Sequence, residues 1–248
     1  MAHRMSEYIN EAAWQDALGQ ADWSFLNHDF KRLEALARQH EHEPGHKEIK
    51  REAYAAVEQA VREGYIPLAA QGEDFDRERK PIDTVVIHHT KNEPGITLER
   101  LNAMHLLRIY APHYTSPAVD PHSSHGQPLW SGHFYNGQQV FWGYHWLIRA
   151  DGTAEQILDD RYIGWQAGNW DINIRSIGIC VDDDLSSKAP SEVVVESIAA
   201  VIREHYTSVE ADHIIGHRDA NRRTVCPGEL FHTEWRQQVI DTITKTVL

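Results

Sequence analysis

The stretch Thr84-Val85-Val86-Ile87 ends in the pair His88-His89, and no other part of this chain constrains the fold and its use as strongly. Its β-branched residues make 83–89 a strand. Far downstream, Gly216-His217-Arg218-Asp219 is followed closely by Cys226-Pro227-Gly228. A strand ending in His, with a later His and a Cys on adjoining loops, supplies three soft or borderline donors. That is the donor set of a catalytic zinc site, where three protein groups hold the metal and a fourth position stays open. A lone histidine at a strand end is more often structural than a ligand, and 17 histidines make chance pairs easy. Only the three segments together make the donor set distinctive.

Composition sets the outer bounds. The 248 residues fit one large domain, or one of about 150 residues with an appendage. With 41% hydrophobic residues and eight Trp there is ample material for a core. The net charge of −13 disfavours a nucleic-acid partner, which requires clustered Lys and Arg. Two cysteines, Cys180 and Cys226, do not make a disulfide scaffold in so long a chain; one ligand and one core residue fit better. No secretory signal peptide and no apolar run long enough to span a membrane is expected. The chain reads as cytoplasmic when made, with release by lysis or a dedicated exporter left open.

Along the chain, residues 6–65 read as helical, the third helix running from about His46 to Glu63 until Gly64 stops it. His40-Glu41-His42-Glu43-Pro44-Gly45-His46 has a metal-like composition but reads as a solvated turn, since it lacks a fixed geometry. The expected organisation is a helical extension over 1–70, a polar linker over 71–81 and a second domain over 82–248. Strands are expected at 83–89, 143–149, 153–158, 176–182 and 213–216, and helices at 97–109, 190–205 and 229–246. Asp151-Gly152-Thr153 reads as a hairpin turn. The mixture predicts an α/β (α+β mixed) fold, a mixed central β-sheet flanked by helices. Residues 111–141, rich in Pro, Gly, His and aromatic residues, read as an inserted binding loop or lid. Its His113, His122, His125 and His133 lack the spacing of a second metal site.

Five blocks, in order, carry a family resemblance. They are Val-Val-Ile-His-His-Thr (85–90), Gly-Tyr-His-Trp-Leu-Ile with Asp-Gly-Thr (143–153), Ser-Ile-Gly-Ile-Cys (176–180), Gly-His-Arg-Asp (216–219) and Thr-Val-Cys-Pro-Gly (224–228). Over roughly residues 80–240 the chain resembles the zinc-dependent N-acetylmuramoyl-L-alanine amidase domain shared by phage lysozyme-type amidases and peptidoglycan recognition proteins. The resemblance implies zinc ligands at His88, His217 and Cys226. It selects His88 over His89, and successive strand residues face opposite ways, so both cannot easily reach one metal. His89 is then a neighbour facing away or a group touching ligand or substrate.

The resemblance also implies a zinc groove at one edge of the sheet and hydrolysis of the lactyl–L-alanine amide, with Zn2+ acidifying water and polarising the carbonyl. It implies that Tyr144 hydrogen-bonds water or the oxyanion beside the metal. Thr224, where some relatives carry Lys, becomes a neutral donor for transition-state stabilisation. Gln166, where many relatives have His, can hydrogen-bond a peptide but cannot shuttle a proton. Asn173 and Arg175, with Ser176, are candidates for lining the substrate groove. The branch with Asp as third ligand and Glu after Ser-Ile-Gly-Ile differs here, since Cys226 and Cys180 occupy those positions; Cys180 reads as a buried strand residue near the site. The expected partner is peptidoglycan or a muramyl peptide fragment, without nucleic acid or membrane insertion, and a protein partner for the N-terminal helices stays open. The competing reading is a module that binds peptidoglycan without cutting it; an intact Cys226 favours the enzyme.

Overall fold

The computed structural model describes residues 46–64, 66, 68–110 and 129–245. The first two expected helices, the His40–Gly45 turn and residues 111–128 of the insertion lie outside the described residues. By its internal contacts the chain divides into two compact units, interleaved in sequence. One gathers Met1–Glu73, Thr97–Gly132 and Gln139–Trp142; the other gathers Asp74–Ile96, His133–Gln138 and Gly143–Leu248.

In the first unit, helix α1 spans His46–Arg62 and buries Tyr54, Val57 and Ala60, a helical stripe. Gly64 closes it at φ 73°, a left-handed conformation that costs glycine little. Helix α2, Leu98–His105, starts where the Thr97 hydroxyl accepts the Arg100 N–H at 3.1 Å, and a wider π-type turn, Leu106–Tyr110, continues it. Arg100 pairs with Glu58, tying α2 to α1. Tyr110 meets Phe141 edge-on at 5.0 Å, and the Phe141 N–H donates to Asn102 Oδ1.

The second unit is built on a five-stranded sheet whose strands lie in the order Ala154–Gln156, Trp146–Ile148, Ser176–Val181, Thr84–His89, Ile214–Gly216. Its strands are β1 (Thr84–His89), β4 (Trp146–Ile148), β5 (Ala154–Gln156), β6 (Ser176–Val181) and β7 (Ile214–Gly216). β1, β4, β6 and β7 run parallel, and β5 pairs antiparallel with β4 through the expected Asp151-Gly152-Thr153 turn. Every residue of β1 and β6 is buried, as strands covered on both faces must be.

The two faces of the sheet do different things. Val85, Ile87, Ile177, Ile179 and Val181 join Trp146, Ile148 and Ile214 in one apolar cluster. Against it pack the long helices that follow, Glu192–His205 and Arg236–Lys245, through Val194, Val195, Ile198, Ala199, Val201, Ile202 and Val239. By strand alternation, Thr84, Val86 and His88 of β1 and Ser176, Gly178 and Cys180 of β6 form the opposite face. That face carries the polar side chains His88 and Ser176 together with Cys180.

The expected strands and helices of this sheet are all present, somewhat shortened. Five described elements were not expected, two of them the short 3₁₀ turns Phe75–Glu78 and Ala211–His213. A short helix, Trp170–Asn173, precedes β6; a single helical turn, His217–Ala220, follows β7; and the insertion contains a hairpin of β2 (Phe134–Tyr135) and β3 (Gln138–Gln139). The hairpin turns at Asn136-Gly137, both at positive φ, the signature of a two-residue turn. Among the described residues, no helix is long and apolar enough to cross a membrane.

Candidate metal centre

Ile87 pairs with Gly216, so His88 and His217 leave adjacent parallel strands side by side. Their rings stand 4.7 Å apart, centroid to centroid. Cys226 Sγ lies 3.8 Å from His88 Nδ1. One donor atom from each of the three residues lies within 4.8 Å of the other two. Donors about 2.0–2.3 Å from a tetrahedral zinc stand roughly 3.3–3.8 Å apart, so two imidazoles and a thiol in this arrangement fit the ion with small adjustment. Among the described residues, no other set of three His, Cys, Asp or Glu side chains converges in this way. His133, the one described histidine of the insertion, lies against Asp76 and Tyr162 instead.

The loop that delivers Cys226 is held at both ends. Its backbone N–H donates to Thr224 Oγ1 at 3.1 Å, and its carbonyl accepts the Arg218 N–H at 2.8 Å. Arg218 Nη1 reaches past it to the Gly228 carbonyl at 3.1 Å. Pro227 packs on Gly216 so tightly that a Cβ there would stand 2.8 Å from the proline ring, which explains glycine before His217. Asp219 closes the turn by accepting the Gly216 N–H at 2.7 Å, with its other oxygen 2.9 Å from His232. The His89 backbone N–H points at Cys226 Sγ from 3.5 Å.

Around the cluster, the half-buried Tyr144 ring lies 4.8 Å from that of His88, and its side chain hydrogen-bonds Cys180. Cys180 pairs with His88 across β6 and β1 and is completely buried; burial pushes its thiol pKa well up, so it stays protonated. Gln166 lies beneath His88. Its Oε1 hydrogen-bonds His88 Nε2, and its Nε2 donates to Ser176 Oγ at 2.9 Å.

Three of the candidate substrate contacts make internal contacts in the structure. The His89 ring faces the helix-packed side, where Nδ1 accepts the Leu185 N–H at 2.9 Å; burial lowers its pKa to about 4. Strand alternation is the reason. Asn173 is buried, and its Oδ1 accepts the N–H groups of Gln166 and Ala167, so it pins a loop. Arg175 pairs with Asp83 at 2.5 Å and Thr84 Oγ1 at 2.8 Å at the start of β1. Four residues of extended strand separate that end from His88, roughly 13 Å.

His145 was not expected to matter beyond its motif, yet it is fully buried and holds β6 in place. Its Nδ1 accepts the Gly178 N–H at 3.0 Å, and Nε2 donates to the Tyr162 carbonyl at 3.1 Å. Burial, helped by the positive charge of Arg79, lowers its pKa to about 3. The unfolded chain protonates this ring below about pH 6.5 and the folded chain does not, so its contribution is complete above pH 6.5 and is lost as pH falls toward 3. Unfolding free energy in zinc-free buffer should therefore drop by about 1.4 kcal/mol per pH unit from this group below pH 6. An NMR signal from the His145 ring that titrates near pH 6.5 would contradict this.

Residues 78–229 match the family described as "N-acetylmuramoyl-L-alanine amidase". No curated protein matches the chain. Among solved structures, the endolysin N-acetylmuramoyl-L-alanine amidase LysCS from Clostridium intestinale URNW is 18% identical, with a TM-score of 0.48, over 71% of this chain and 91% of that one. LysC, an amidase from the same organism, is 20% identical at a TM-score of 0.47, over 69% and 91%. A Drosophila peptidoglycan recognition protein LB variant in complex with tracheal cytotoxin is 18% identical at a TM-score of 0.38, over 66% and 82%.

Proposed function

This chain belongs to the N-acetylmuramoyl-L-alanine amidase family, and from that premise we propose that it cleaves the amide between the lactyl group of N-acetylmuramic acid and the L-alanine of the stem peptide. The observation that carries the reading is the convergence of His88 near the end of β1, His217 just after β7 and Cys226 on the loop beyond it. The family includes members that bind peptidoglycan without cutting it. A complete set of three donors favours the hydrolase.

His88, His217 and Cys226 would hold zinc, which supplies a Lewis acid able to polarise a carbonyl and acidify water near neutral pH. Everything else falls to the chain. The His89 N–H directed at Cys226 Sγ favours the deprotonated sulfur that ligation requires. Tyr144, with its ring beside His88, would turn its phenolic O–H from Cys180 to the scissile carbonyl oxygen as negative charge develops there. The Thr224 oxygen is occupied by the Cys226 N–H, so its own hydroxyl hydrogen is the group it offers to that oxygen. Neither donor carries a formal charge, and Cys180, kept protonated by burial, does not act as a base. The substrate is a muramyl peptide, presented to residues 82–248.

The test is Tyr144→Phe. Loss of one oxyanion donor costs about 10²–10³-fold in turnover, so release of new L-alanine amino termini from purified muropeptides should slow by at least about 10²-fold while zinc content is unchanged. An unchanged rate would remove Tyr144 from the chemistry. Tight muropeptide binding by the unaltered protein, without cleavage, would replace the hydrolase with a recognition module.

A further inference from the structure

The interaction beneath His88 has a direction, and it decides which nitrogen of that ring is offered to a metal. We infer that Gln166 is a positioning residue: its side-chain carbonyl holds the His88 ring as the Nε2–H tautomer, so that Nδ1 turns its lone pair toward Cys226 and His217. The inference rests on the metal-centre reading above and deepens it.

Ser176 Oγ takes either role, so the ring sets the direction: with Nδ1 turned to Cys226 Sγ as a ligand, Nε2 keeps the proton, and Gln166 Nε2 donates to Ser176 Oγ at 2.9 Å. That leaves Gln166 Oε1, an acceptor only, against His88 Nε2. A nitrogen that contacts an acceptor must carry the proton. A neutral imidazole has one N–H, so Nδ1 is the unprotonated nitrogen, and it is Nδ1 that faces Cys226 Sγ at 3.8 Å. The opposite amide orientation would place an NH₂ against Nε2, move the proton to Nδ1 and close that nitrogen to a metal.

The fold holds this carbonyl in place from three sides. Gly178 in mid-strand leaves the hollow in which the side chain lies; a Cβ at 178 would stand 3.2 Å from Gln166 Cγ. Asn173 Oδ1 accepts the N–H groups of both Gln166 and Ala167, fixing the backbone from which the side chain departs. Arg79 Nη1 bonds the carbonyls of Asn173 and Ser176 at 3.1 and 2.8 Å, holding both groups that orient the glutamine. Gln166 is buried, so its amide is committed to this internal contact and does not reach a substrate in solution. The glutamine is thus a neutral counterpart of the carboxylate or backbone carbonyl that commonly supports a metal-ligating histidine, a support worth about 10–100-fold in metal affinity.

Zinc affinity by chelator competition tests this, together with ¹H–¹⁵N long-range correlation of the His88 ring in the zinc-loaded protein. Gln166→Leu, which removes the acceptor, should weaken zinc binding by about 10–100-fold. Gln166→Glu, which keeps an acceptor in the same place, should bind within a few-fold of the unaltered protein. The unaltered protein should show His88 protonated at Nε2 and metal-bound at Nδ1, a readout independent of whether any variant folds. Unweakened zinc binding by Gln166→Leu, equal loss in the Glu variant, or coordination through Nε2 would each overturn the inference and leave the metal centre standing. An unaltered protein that holds no zinc at all would overturn both.

Discussion

His217→Ala is expected to lose its zinc and, with it, at least about 10³-fold in turnover. Two donors, His88 and Cys226, remain, and the site descends from three protein ligands to two. A bound Lewis acid contributes several kcal/mol to this class of hydrolysis, and each 1.36 kcal/mol is tenfold in rate. The loss should be chemical rather than structural. His217 follows β7 and is only partly buried, and the turn it begins is closed by Asp219 on the Gly216 N–H, without the imidazole. The Arg218 bonds that hold the Cys226 loop are likewise independent of it. Metal content by mass spectrometry should fall from one zinc per chain to near zero, while thermal unfolding in zinc-free buffer barely moves. Hydrolysis retained at the unaltered rate would remove His217 from the site.

The largest effect on stability is expected at Asp182. This carboxylate is fully buried just beyond β6, and accepts the N–H groups of Gly95 at 2.9 Å and Ile96 at 3.2 Å. Arg149 Nη1 completes the cluster at 2.9 Å and also donates to the Ile96 carbonyl at 2.5 Å. The charge thus fastens the segment leaving β1 to the end of β6, close to the strand end that carries His88. Asp182→Ala strands two N–H groups and removes the buried half of an ion pair. Breaking a fully buried pair costs about 3–5 kcal/mol; Arg149 is partly exposed and keeps Glu155, which argues for the lower end, about 3 kcal/mol. For a chain of this size that lowers Tm by roughly 6–12 °C. A shift under about 2 °C would mean that the segment is held by something else.

Most of the sheet was legible in the sequence because its strands are short apolar runs bounded by turn residues, and its helices repeat their apolar positions every three to four residues. The donors were legible for a different reason. His88, His217 and Cys226 each end or follow a structural element within a compact motif, and their order along the chain matched a known pattern. What the sequence hid was direction. His89, Asn173 and Arg175 are the right residue types in the right neighbourhood, yet one faces the helices, one is a loop staple and one sits at the far end of β1.

Strand alternation already pointed His89 away, but nothing local says that Arg175 will spend its charge on Asp83. Gln166 offers itself as a substrate contact in the sequence because residue type does not show burial. The glycine of Ser-Ile-Gly-Ile-Cys was the overlooked signal, since a glycine in mid-strand marks a place where another group comes close. The Asn136-Gly137 hairpin was overlooked in a similar way, its turn signal lost among the prolines of the insertion.

The central claim is that this site holds a metal and cuts an amide, and one paired measurement tests it. Purified protein is assayed for zinc per chain and, in the same sample, for new L-alanine amino termini released from muropeptides, with Cys226→Ala alongside. The account predicts one tightly bound zinc and steady release in the unaltered protein, and neither in the variant. Release by Cys226→Ala at the unaltered rate, or full zinc occupancy with no release from either protein, would contradict it.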